Sequence, residues 1–228
     1  MTGFAAPIES GPLGLMRLVL RFNLHPEASL HPSWLPADWP ARFRARLREL
    51  GPQARPVLRD ALARAGVLPL EPDYEFDSRL KRLLLLDAPA LRRLAVYASL
   101  CAHSPLMRPR RSALGLRLRR QARRFDADAV EFVLERAPEL TALQMSAHPL
   151  KEQPASCGRL LVDRGYRLLL GAMAPEGERA AQRLARMLPR RVSTLPVPAL
   201  ETRQRDQLGE LMLACIVPER LAPWDWVF

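Results

Sequence analysis

Along most of the chain apolar residues recur every third or fourth position, the period of a helix that turns one face inward. Leu15, Leu18, Val19 and Phe22 fall at that spacing. Met16, Leu18, Leu20, Phe22 and Leu24 also alternate as in a strand, and helix is the preferred reading. Phe43, Leu47 and Leu50 form the next stripe, closed by Gly51-Pro52, and Val57, Leu58, Ala61, Leu62 and Ala65 repeat the device before Gly66. Leu80, Leu83 and Leu84 open a helix that Asp87 and Pro89 interrupt and restart, with Leu91, Leu94, Ala95 and Ala98 continuing the inward face. Asp128 with Glu131 has the spacing of a capping box ahead of Val130, Val133 and Leu134. Pro138 and Pro149 delimit a short element around Leu140 and Leu143. Val162, Tyr166, Leu169 and Met173 predict a buried helix over 158–173, for which a hairpin turning at Asp163-Arg164-Gly165 is the alternative. Pro175-Glu176 starts a helix whose Ala180, Leu184, Met187 and Leu188 face inward, and Leu208, Leu211, Met212 and Cys215 mark the last, stopped by Pro218.

Breaks in the pattern set the organisation. Residues 1–14 hold Gly3, Pro7, Gly11 and Pro12 with little periodicity and read as a loose leader. Pro26, Pro32, Pro36 and Pro40, with Trp34 and Trp39, preclude one long helix between Asn23 and Pro40 and predict a compact loop pinned by its aromatics. There is no internal repeat or low-complexity tract. The expected fold is therefore mainly α: an irregular single-domain helical bundle over 15–228 with Pro-rich loops and at most a minor β-hairpin.

Composition narrows the function classes. With 48% hydrophobic and 26% charged residues, the 228-residue chain is apolar enough to fold. Its apolar runs, such as Leu83–Leu86 and Leu168–Ala174, fall far short of the roughly 20 residues a bilayer span needs. Glu9, Gly11, Pro12 and Gly14 break the apolar stretch a secretory signal would require, so a cytoplasmic location is expected. Cys101, Cys157 and Cys215 are odd in number and far apart, which predicts reduced, buried thiols. The net charge of +11 is carried almost wholly by arginine, since Lys81 and Lys151 are the two lysines.

No motif nominates catalysis. Ser10-Gly11-Pro12 lacks the setting of a nucleophile elbow, and neither common Gly-rich phosphate loop occurs. His25 with His31, and Cys101 with His103, lack the further donors a metal site requires. The expectation is a non-enzymatic protein without metal or cofactor. The sharpest feature is the cluster Arg108, Arg110, Arg111, Arg117, Arg119, Arg120, Arg123 and Arg124. On a helix, Leu114, Leu118 and Phe125 would face the core while Arg117, Arg120 and Arg124 form an outward stripe. Its readings are a solvated face, a site for an acidic protein partner, a nucleic-acid contact and an anionic membrane surface. A basic nucleic-acid-binding regulator acting through Arg108–Arg124 is the alternative function, set back because no aromatic residue interleaves the cluster. Trp224, Trp226 and Phe228 end the chain and either pack on the body or insert into a partner. Arg110, Arg111, Arg117, Arg120, Arg124, Trp224 and Trp226 are the candidate partner-binding residues.

The segment Phe22 to Pro36 resembles the N-terminal signature of the SctK/YscK family, the K proteins of the type III secretion sorting platform. The matching residues are Phe22, Asn23, Pro26, His31, Pro32, Ser33, Trp34, Leu35 and Pro36, expected to be structural. The resemblance implies an adaptor at the cytosolic face of the inner-membrane injectisome. Such an adaptor would link the cytoplasmic domain of the ring protein SctD to the pod protein SctQ and, through it, to SctL and SctN. It would take no small-molecule substrate and would reach the membrane through its partners alone.

Overall fold

The structure is a computed structural model and describes residues 10–49, 51–68, 71–109, 111–143 and 145–228. Its longer helices are α1 (Pro12–Leu24), α2 (Arg55–Arg64), α3 (Ala88–Ala102), α4 (Ala113–Phe125), α5 (Cys157–Met173), α6 (Glu178–Met187) and α7 (Thr202–Glu210). Short α, 3-10 and π turns join them, and no β-strand occurs among the described residues. The fold is mainly α, as the periodicity predicts. No helix among the described residues is long and apolar enough to cross a membrane.

The chain divides into two compact units, the first made of Met1–Ala88, Glu176–Thr194 and Trp226–Phe228. Here α1 starts at Pro12, where the missing N–H costs nothing, after Gly11 at φ 93°. Residues 1–9 of the expected leader lie outside the described residues, and Pro12, Leu13 and Gly14 belong to the helix. Gly14, Leu18 and Phe22 form its buried face, and Phe22 meets Phe76 edge-to-face with centroids 5.5 Å apart. Its outer face carries Leu13, Met16, Leu20 and Leu24, which are 62%, 54%, 42% and 51% exposed. In α2 the stripe is narrower than the sequence predicts: Leu62 is buried, whereas Val57 faces solvent. Leu50, expected on the preceding stripe, lies outside the described residues. Gly177 takes φ 95° between the 3-10 turn Ala174–Glu176 and α6, so that helix begins at Glu178.

The second unit comprises Pro89–Pro175 and Leu195–Asp225. Most of α3 is enclosed, every residue from Leu94 to Ala102 being buried. Helix α5 crosses it at Gly165, where a Cβ would stand 1.9 Å from the Ala95 carbonyl oxygen; only a glycine permits that approach. Residues 163–165 are thus helical, and the hairpin alternative does not occur. The short element expected around Leu140 and Leu143 is not regular: both side chains are buried, but the described residues 137–143 and 145–147 run without a helix. Two glutamines of α7 take the place of helical bonding there. Gln204 Nε2 donates to Ala142 O at 3.0 Å and the Ala142 N–H donates to Gln207 Oε1 at 3.0 Å. The capping box at Asp128 does not form either. Its carboxylate accepts from Arg220 Nη1 at 2.6 Å, and Ala129–Glu131 passes directly into the π turn Phe132–Arg136. The Arg220 hydrogen bond is the chief reason the Asp128 carboxyl is held down at about 2.

Candidate partner-binding surfaces

The Phe22–Pro36 segment is a set of anchors inside the first unit. Asn23 Nδ2 donates to Asp73 O at 2.6 Å while the Asp73 N–H donates to Asn23 Oδ1 at 2.7 Å, and Lys81 Nζ lies 2.9 Å from Asp73 Oδ1. The Arg183 guanidinium stands 4.4 Å from the Phe22 ring centroid. Pro26 is buried at the start of the turn Pro26–Ser29. Farther on, the chain is pinned to the C-terminal end of α6. The His31 N–H donates to Arg186 O at 2.9 Å, and the Trp34 indole N–H is shared by Ala185 O and Leu188 O at 3.2 and 2.9 Å.

Ser33 joins the two sides. Its main-chain N–H donates to His31 Nδ1 at 3.2 Å, which makes that nitrogen an acceptor, and its hydroxyl lies 2.8 Å from the same nitrogen. Ser33 Oγ in turn accepts the Arg190 N–H at 2.7 Å, so His31 caps the turn Pro32–Trp34 and Ser33 ties that turn to the start of Arg190–Ser193. Leu30, Trp34, Leu35, Trp39 and Leu58 complete an apolar cluster on Leu62, Val67 and Leu68. Beside it is a cleft of about 420 Å³ lined by Trp34, Pro36, Asp38, Gly66, Arg186 and Arg190 among others. The two guanidiniums stack over the Trp34 ring at 4.2 and 5.5 Å, and burial, then the neighbouring Arg190 charge, pushes the Arg186 pKa down.

The arginine cluster occupies α4 and the turn before it, in the second unit. Ser112 caps the helix by accepting the Gly115 N–H at 3.2 Å. Leu114, Leu118 and Ala122 form the buried face, Phe125 is half-buried, and Leu116 is 50% exposed. Arg111, Arg120, Arg123 and Arg124 are exposed and Arg117 half-buried, and none of the five forms an ion pair among the described residues. Arg119 differs, bending back to donate to the Met107 and Arg108 carbonyls. Arg108 lies 3.6 Å from Glu139, and Arg110 lies outside the described residues. The unpaired row is thus Arg111, Arg117, Arg120, Arg123 and Arg124, a concentration of positive charge that an acidic surface would complement.

At the C-terminus Trp224, Trp226 and Phe228 are half-buried and Val227 fully buried. Arg82 Nη1 donates to Val227 O at 3.0 Å and its Nε to Phe76 O at 2.8 Å. Of the His and Cys pairs in the sequence, His103 is buried in the second unit, where its Nε2 accepts from Arg164 Nη1 at 2.8 Å. Cys101 and Cys157 are free and buried and Cys215 is free and half-buried; burial pushes all three thiols up. No group of three or more histidine, cysteine or acidic residues with metal-site geometry occurs among the described residues.

Sequence reasoning placed the arginine face and pointed to the Pro-rich aromatic loop, but missed two features. One is the Trp34–Arg186–Arg190 stack, whose partners lie some 150 residues apart and share no local pattern. The other is the outer face of α1, whose signal was already present in Met16, Leu20 and Leu24. A helix with apolar residues on opposite faces buries only one of them against its own body.

The fold and these surfaces define an all-helical protein, among the described residues, whose conspicuous features are anchored loops and unpaired cations. Residues 18–217 match the family described as YOP proteins translocation protein K (YscK), and the chain belongs to that family of type III secretion proteins. No curated protein and no solved structure gives a significant match.

Proposed function

We propose that this chain is a non-enzymatic adaptor of the type III secretion sorting platform. In this reading it works at the cytosolic face of the inner-membrane injectisome, linking the cytoplasmic domain of SctD to the pod protein SctQ, and through SctQ to SctL and SctN. Family membership over residues 18–217 carries the reading. The unpaired arginine row of α4 supports it by offering a surface whose charge calls for an acidic partner. Such a contact would gain association rate from steering and would weaken as salt rises. Trp224 and Trp226 are assigned to a second contact, since half-buried tryptophans keep area available for a partner.

Co-purification of the tagged full chain from a type III secreting bacterium, after nuclease treatment, tests the reading. SctD and SctQ are expected to be retained at moderate salt, and Arg117→Glu/Arg120→Glu/Arg124→Glu is expected to lose at least one of them. Retention of neither by the unaltered chain overturns the adaptor role. Nucleic acid retained in their place would put the regulator reading first, marked by a steep dependence of affinity on salt.

A further inference from the structure

Four large apolar side chains lie in one line on the outside of α1. Leu13, Met16, Leu20 and Leu24 follow a spacing of three, four and four residues, and each is between 42% and 62% exposed. At about 100° per residue they fall within roughly 80° of one another. The opposite side of the same helix is already used: Gly14, Leu18 and Phe22 are buried, and α1 packs toward Phe76 and the turn Lys81–Leu85. The outer row therefore adds nothing to the core of its own unit. Single exposed leucines are ordinary, but a continuous row of this kind marks a surface that something covers.

We propose that the outer face of α1 receives one amphipathic helix of another protein, a helix with a row of acidic residues along one edge. Three features of the face select that occupant. Its width is that of a coiled-coil seam, narrower than the stripe by which a helix lies on a core or a membrane. Its length, 13 residues or about 20 Å, matches a partner helix of three to four turns. Its charge is one-sided: Arg21, which is exposed, stands on the edge beyond Leu24, while the other edge carries Val19 and Asn23. Glutamates or aspartates on a partner would meet that arginine edge and fix its direction, as the charges flanking coiled-coil seams do. A second copy of this chain is a poorer fit, because it would bring arginine and a net charge of +11 to the same edge.

The proposal rests on the adaptor reading for the existence of a partner and goes beyond it in naming a second surface and the helix that fits it. It is tested with the purified full chain and a synthetic helix of about three heptads, with leucine at the seam and glutamate along the edges. The unaltered chain is expected to bind this peptide. Met16→Glu/Leu20→Glu, at exposed positions of a helix that tolerates glutamate, is expected to weaken binding at least about tenfold with unchanged thermal unfolding. Replacing the peptide's glutamates by lysine is expected to abolish binding. Equal binding by the variant, or no binding by the unaltered chain, overturns the proposal. So does adsorption to phosphatidylglycerol vesicles that the same substitutions remove, which makes the face a membrane contact. A dimer of the unaltered chain that the variant lacks, seen by light scattering, overturns it in favour of a second copy. Normal co-purification of SctD and SctQ with no peptide binding ends this proposal and leaves the adaptor reading standing. The reverse result ends the adaptor reading alone.

Discussion

Asn23 and Asp73, 50 residues apart in sequence, exchange two hydrogen bonds: the side-chain amide of one pairs with the main-chain N–H and C=O of the other, at 2.6 and 2.7 Å. An asparagine side chain has the donor and acceptor of a peptide group, so here it stands in for a strand neighbour and satisfies a segment with no regular structure. The end of α1 is thereby tied to the polar link after α2. Replacing Asn23 by alanine removes both partners and is expected to cost about 1–3 kcal/mol. Asn23→Asp keeps the acceptor but turns an anionic oxygen toward the Asp73 carbonyl, and is expected to cost at least as much. Urea unfolding measures both, and an unchanged midpoint for Asn23→Ala refutes the anchoring role.

Trp34 contributes in two separable ways. Its indole N–H is held by Ala185 O and Leu188 O, and its half-buried ring packs against the cluster of Leu62, Val67 and Leu68. Trp34→Phe keeps most of the ring and loses the donor, for an expected loss of about 1 kcal/mol. Trp34→Ala also opens a cavity and removes the surface under Arg186 and Arg190, for about 3–5 kcal/mol. If the two variants unfold together, the ring's packing is not what fastens this loop.

The signature residues and the helices were legible in the sequence because both rest on local chemistry. Leu18 and Phe22 announced the inner face of α1 by spacing, and Pro32 with Trp34 announced a pinned turn. What the sequence hid depends on distant partners. The stretch around Leu140 and Leu143 has the composition of a short helix, yet Gln204 and Gln207 supply its hydrogen bonds from far along the chain. Asp128 stands at capping-box spacing, but Arg220 outcompetes the helix N–H groups for its carboxylate. The arginine row was visible as a run of like charge. Which of its members stay unpaired was not, since Arg119 and Arg108 find their partners only in three dimensions.

Gly165 is where the contact of α3 with α5 is decided. A methyl group there would lie 1.9 Å from Ala95 O and 2.9 Å from Ala95 Cα, both of them main-chain atoms that no rotamer change can move aside. Alanine would gain up to about 1 kcal/mol in helix propensity. Forcing apart two packed helices costs more, about 1–3 kcal/mol or above. Gly165→Ala is thus expected to lower the thermal midpoint clearly, whereas Gly209→Ala, with open space around its Cβ position, is expected to leave it unchanged or raise it. Equal behaviour of the two variants would mean that the helices part without cost.

His103 gives the fold a pH dependence whose sign follows from its surroundings. Burial, and then the Arg164 charge, pushes its pKa down to about 3, and the neutral ring accepts the guanidinium hydrogen bond through Nε2. In the unfolded chain the same ring titrates near its ordinary 6.5. Above that pH both states are neutral and the contribution is complete. As pH falls from 6.5 toward 3 the unfolded chain takes up a proton that the folded chain refuses, so stability declines by up to about 1.4 kcal/mol per pH unit. Asp128 acts in a lower window. Its carboxyl is depressed from 3.8 to about 2, chiefly by Arg220, so its contribution is whole above 3.8 and disappears as pH falls through 2. Urea unfolding between pH 7.5 and 4.5 is therefore expected to show a falling midpoint in the natural chain, with Asp128→Asn keeping that slope and His103→Gln flattening it. A slope that survives in His103→Gln would assign the acid sensitivity to another group.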